Sequence, residues 1–161
     1  MILLIELIIL CGLMFLLCYL GTGSDEKNVR SLRSYPDEVQ AIVKSNPELQ
    51  DKIKASSPAA TFISNTLLFG VLLFVCGLFL NTDGFVGSFL RLLLLGELVN
   101  AFDFFVVDLL WWRHTKRVRF TGTENLTELY RDTKKHFVSF LKGILMFLEI
   151  AIIDGVVISL L

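Results

Sequence analysis

Of the 15 Lys and Arg residues in this chain, all but Arg91 fall between residues 27 and 54 or between 113 and 142, and long apolar runs fill most of the rest. Few folds are compatible with that segregation. Basic loops are retained on the cytoplasmic side of a membrane while apolar runs cross it, so the connection around Asp83 is expected on the far side. Hydrophobic residues make up 54 % of the sequence, above the ~45–50 % apolar usage of soluble proteins. The net charge of -1 argues against a general attraction to nucleic acid, which needs a surplus of Lys and Arg on one surface.

Four spans are expected, at residues 2–20, 59–80, 85–112 and 136–161, within a single membrane domain covering 1–161. The first is about the ~20 residues that a hydrocarbon core requires, and only Glu6 interrupts it. A cleaved signal peptide is the competing reading, but such peptides carry a basic leading region and a shorter apolar stretch, and no Lys or Arg precedes this run. Ser57 can cap a helix whose first residue is Pro58. Asn81-Thr82-Asp83-Gly84 reads as a tight turn that makes the second and third spans a hairpin.

Loop 21–57 carries Lys27, Arg30, Arg33, Lys44, Lys52 and Lys54, and loop 113–135 carries Arg113, Lys116, Arg117, Arg119, Arg131, Lys134 and Lys135. Both loops are therefore expected in the cytoplasm, with both termini outside. Within the first loop, Val39, Ile42, Val43, Leu49 and Ile53 recur at near-helical spacing, and Pro36, Asn46 and Pro47 suit helix starts, so two short helices are predicted. Their apolar faces are expected on the membrane surface or the other loop; a protein partner is the alternative. Asn125-x-x-Glu128 fits a capping box, predicting a helix from Leu126 into the fourth span. The fold class that follows is all-α: an integral membrane four-helix bundle with short cytoplasmic helices in its first loop.

Trp111 and Trp112 are expected at the headgroup level, and Arg113, Lys116, Arg117 and Arg119 beside them form a candidate site for anionic lipid phosphates. Glu6, Glu97, Asp103, Asp108, Glu149 and Asp154 lie in or at the ends of the apolar runs, where a central charge costs ~2.5–3.5 kcal/mol on insertion scales. They should face the protein interior or an interface. At 100° per residue, Glu97, Asn100, Asp103, Asp108, Trp111 and His114 share an arc of roughly 140° on the third span. Glu97, Asn100, Asp103, Asp108 and His114 are thus the candidate polar intramembrane site, able to bind a cation, relay a proton or fix helix packing. Asp108 and His114 can act as a base and its orienting partner, with His136 or Glu128 supplied by the loop. A continuous helix would set Asp108 and His114 about 120° apart, so their contact needs a bend or an end.

Cys11, Cys18 and Cys76 lie in apolar runs without metal or redox spacing and read as small core residues. Two histidines without His-x-x-x-His or Glu-x-x-His spacing give no metal site, and neither Gly-x-Ser-x-Gly nor a phosphate-cradling loop occurs. No cofactor is expected. Gly70 and Gly77 share a face of the second span and can permit close helix approach. A homo-oligomer, or membership of a membrane complex, follows as an expectation.

The stretch Asp108-Leu-Leu-Trp-Trp-Arg-His114-Thr-Lys-Arg-Val-Arg-Phe-Thr-Gly-Thr-Glu124 resembles a segment of small four-span bacterial membrane proteins, some labelled transporter permeases. The resemblance covers the last two spans and their loop, implies a bacterial plasma membrane, and brings no activity. The expected function is non-enzymatic: an accessory or assembly component of a membrane complex. The alternatives are a small proton- or cation-coupled transporter using the acidic face of the third span, and a lipid- or metal-dependent enzyme at the cytoplasmic interface.

Overall fold

The computed structural model describes residues 2–53, 57–79 and 84–161, and all regular structure among the described residues is helical. Helix α1 (Ile2–Leu20) leads to α2 (Asp25–Asn28), a 3-10 segment (Val29–Ser34), α3 (Asp37–Ser45) and α4 (Pro47–Gln50). Then come α5 (Pro58–Leu78) and α6 (Gly84–Phe102), which continues as a π-helix (Asp103–Trp112), followed by a 3-10 segment (Thr127–Arg131) and α7 (Lys134–Ser159). By length and composition α1 and α5 are apolar enough to cross a membrane. Arg91 and Glu97 interrupt α6, and Lys142, Glu149 and Asp154 interrupt α7.

Local chemistry explains most helix starts. Ser57 accepts from the Ala60 amide with Pro58 in the first turn, and Asn46 accepts from the Glu48 amide at 3.0 Å with Pro47 after it. The first loop holds more than the two expected short helices, because Ser24 caps a further turn at α2. The turn expected at 81–83 lies outside the described residues. The capping box at Asn125 does not form: the residue before the 3-10 segment is Leu126, with no side-chain cap. That segment does not run into α7 either. Asp132 accepts from the Lys134 amide at 2.9 Å and starts α7 afresh.

The chain divides into two compact units. The first comprises Met1–Cys11, Ser56–Ala101 and Phe140–Leu161. Here apolar side chains lie on both sides: Ile8 on α1, Leu67 on α5 and Leu145 on α7 are more than 60 % exposed, while Leu92, Leu95 and Val99 are buried together with the polar Glu6, Asn100 and Asp154, which are no more than 9 % exposed. Glycines on α5, α6 and α7 allow close approaches inside this unit. Gly77 is met by Ile158 and Gly96 by the Phe147 ring, which also packs edge-on to Phe69 at 5.2 Å. Gly143 leaves room for the amide of Asn100, whereas Gly70, expected at a close contact, faces open space.

The second unit comprises Gly12–Ala55 and Phe102–Ser139. Its core is aromatic. The fully buried Tyr35 ring contacts Trp112, Phe120 and Tyr130 at centroid distances of 5.0, 5.1 and 6.2 Å, with Val39, Val43, Leu49 and Val118 around them. Burial holds the Tyr35 phenol well above its ordinary pKa, so it stays neutral. Tyr130 adds polar order: its hydroxyl accepts from the Phe120 amide at 3.2 Å and lies 2.6 Å from the Thr123 hydroxyl.

The end of α1 is held by Arg117. Its guanidinium lies 3.8 Å from the centre of the Tyr19 ring and donates to the Tyr19 and Thr22 carbonyls at 3.1 and 3.0 Å. A cation there complements the negative end of the helix and satisfies carbonyls left without an intrahelical partner. Gly23, at φ +107°, lets the chain turn beneath that guanidinium, and Asn28 fastens the turn by donating to the Arg117 carbonyl at 3.0 Å.

Replacing Arg117 with Met should lower stability by about 2 kcal/mol through lost charge-assisted hydrogen bonds, and Lys should recover little because it lacks the planar fork. Thermal unfolding of the purified variants in detergent would check both. The same assay should separate two glycines. Gly143→Ala is expected to displace the Asn100 amide and cost about 1–3 kcal/mol, whereas Gly70→Ala should be neutral or stabilise by up to about 1 kcal/mol.

Candidate functional site

The expected polar stripe does not continue past Phe102, because the backbone changes. A π-helix joins residue i to i+5, so Asp103 and Asp108 lie one turn apart along the same side. On an α-helix they would have diverged by about 140°. Glu97 and Asn100, on the α-helical part, belong to the first unit; Asp103, Asp108 and His114 belong to the second.

In the first unit, the Asn100 amide donates to the Phe140 carbonyl at 3.2 Å and to Glu97 at 3.4 Å. That arrangement is an interhelical clasp between α6 and α7. A buried amide needs such partners, since an unsatisfied one costs about 1–3 kcal/mol. The clasp itself consumes the donors that a ligand would use.

The second unit holds the more chemically capable group. Asp108 Oδ1 lies 2.8 Å from Nδ1 of His136, which α7 presents in its first turn, and the two side chains are 15 % and 6 % exposed. The Trp112 ring packs edge-on against the imidazole at 4.7 Å. Asp103 lies within electrostatic reach of both Asp108 and His136. Nε2 of His136 is buried and has no hydrogen-bond partner. A carboxylate on Nδ1 fixes the tautomer and ring orientation, leaving Nε2 as the position where a proton can be gained or lost.

His114 is not part of this group. It is exposed, with Nδ1 2.7 Å from the Leu110 carbonyl at the end of the π-helix. Its place as partner of Asp108 is taken by His136. Nothing in local spacing marks His136, which lies 28 positions further along the chain, across a loop and a helix start; the signal was its being one of two histidines beside a run holding two unpaired acids. Among the described residues no group of three His, Cys, Asp or Glu side chains is placed to hold a metal.

The basic residues expected at lipid phosphates divide in two. Arg117 is engaged at the end of α1, and Arg119 donates to the Glu124 carbonyl at 2.8 Å while lying over the Tyr130 ring. Lys116 is exposed and Arg113 half-buried. No protein-family model, curated protein or solved structure matches the chain.

A double-mutant cycle would measure the coupling of the buried pair. Asp108→Leu or His136→Leu alone should each cost about 3–5 kcal/mol by stranding its partner, with part of the loss recovered in the double variant. Denaturation of the three variants gives the comparison.

Proposed function

We propose that the chain is a four-span, non-enzymatic membrane protein that serves as an accessory or assembly component of a membrane complex, in the manner of the small bacterial proteins that its third loop resembles. In this reading α1, α5, α6 with its π-helical extension, and α7 cross the bilayer. The basic connectors lie in the cytoplasm and both termini outside. The observation that supports it is the apolar exterior of the first unit, with exposed Ile, Leu and Val side chains outside an interior that buries Glu6, Asn100 and Asp154. A soluble monomer rarely exposes so continuous an apolar surface.

Exposed polar residues within that apolar exterior favour an assembly role over a self-contained one. Asn65 on α5 and Glu149 on α7 are exposed, Glu149 between Leu148 and Ile150, and no ion pair of Glu149 occurs among the described residues. Glu149 lies 15 residues after the start of α7, or roughly 22 Å along the helix, so it would face lipid far from either headgroup layer. A neighbouring protein helix that offers a donor relieves the cost of that placement. At the cytoplasmic face, Lys116 and Arg113 supply attraction to anionic lipid.

Single-cysteine labelling in a cysteine-free background tests the topology. Asp83→Cys should react with a membrane-impermeant maleimide in intact cells, and Glu124→Cys only after permeabilisation. Reaction of Glu124→Cys alone in intact cells, or recovery of the protein without detergent, would refute the reading.

A further inference from the structure

We propose that Asp103, Asp108 and His136 form a site that binds one exchangeable proton, taken up at Nε2 of His136. The inference stands on the geometry of the second unit alone and does not depend on how many helices cross a membrane. The charge count motivates it. Two carboxylates one π-turn apart share the site, and among the described residues no Lys or Arg forms an ion pair with either. With both acids ionised and a neutral imidazole, these partly buried groups would carry two negative units with no cation paired to them, which is costly beside apolar side chains. A proton relieves it.

The structure presents a place for that proton. His136 Nδ1 is committed to Asp108 at 2.8 Å, while its buried Nε2 has no partner. Binding is a simple addition: a proton from water attaches to the Nε2 lone pair, the Nδ1–H bond to Asp108 is retained, and an imidazolium flanked by carboxylates results. Release reverses it, with no other bond made or broken. Cys18 of α1 also faces the acids, its thiol sensing the charges of both Asp103 and Asp108. Trp112, packed edge-on against the ring, does not titrate. Protons within such a cluster distribute over its members, so the site binds as a unit and the imidazole reports its occupancy.

The chain contains only two histidines, which makes the test direct. In the full-length His114→Asn protein, purified in detergent and labelled with 15N-histidine, every histidine nitrogen signal belongs to His136. As the pH is varied over the range in which the protein stays folded, Nε2 should convert reversibly between unprotonated and protonated forms while Nδ1 stays protonated. Asp103→Asn should reduce the proton affinity of Nε2 by about tenfold or more, because an opposite charge at this range favours the protonated ring by 1–3 pH units. Asp108→Asn, which keeps an oxygen acceptor for Nδ1 but removes the charge, should do the same and serves where Asp103→Asn fails to fold, as judged by helical circular dichroism. An Nε2 signal that does not change over this range overturns the proposal, as does an affinity unaltered in a folded carboxamide variant.

Discussion

A polar group surrounded by apolar side chains must find a partner or shed its charge, and that requirement governs both units of this protein. In the first unit the amide of Asn100 reaches the Phe140 carbonyl on α7, and Gly143 is the residue that lets it do so. In the second, Asp108 finds His136, and Arg117 finds the carbonyls at the end of α1. These contacts are few. Each involves a group whose isolation would cost more than the contact itself supplies, so they act mainly by excluding alternative packings of interchangeable Leu, Ile and Val surfaces.

The second unit meets the same constraint with aromatic rings. Segments on either side of the long apolar runs are too short to be stable helices alone, since a helix below about 12 residues is marginal in water. Tyr35 solves this by serving as a common centre for Trp112, Phe120 and Tyr130, so that α3, the end of the π-helix and both sides of the third loop depend on one side chain. Surface ion pairs add little to that. Lys135 lies 2.6 Å from Asp37, yet Asp37 is 85 % exposed, and solvent screens most of the attraction in that setting. Its hydrogen bond from Lys135 holds the Asp37 carboxyl below the usual range, so whatever stability it contributes is present at neutral pH and lost as pH falls through that lowered value.

Much of the helical layout was legible in the residues. The apolar runs matched α1 and α5 to within two residues at each end, and the signals at Ser57-Pro58 and Asn46-Pro47 are real helix starts. What failed were inferences that assumed one backbone geometry or one local partner. Asn125-x-x-Glu128 satisfies the capping pattern, but Gly122 and Glu124 make a turn of their own, the Glu124 carboxylate accepting from the Gly122 amide at 2.9 Å, and Asp132 supplies the cap instead. The sequence reading of Arg117 as a lipid contact also did not include the carbonyls that its guanidinium reaches within the protein. Spacing cannot show that, because Tyr19 and Thr22 lie almost a hundred residues away.

The π-helix carries the widest consequence. A wheel drawn at 100° per residue treats the acids from Glu97 to Asp108 as one stripe, yet the change of winding at Asp103 reassigns every side chain beyond it. One effect is to stack Asp103 with Asp108; another is to aim Asp108 and Trp112 at the same imidazole. Wider winding strains hydrogen bonds and persists only where surrounding contacts require it, which is why such segments concentrate at functional sites. Here the contacts requiring it are the Asp108–His136 hydrogen bond and an aromatic core, which share Trp112. A change in the charge of His136 would therefore be felt by the segment whose winding built its site, and through Trp112 by the ring of Tyr35 on which the second unit is assembled.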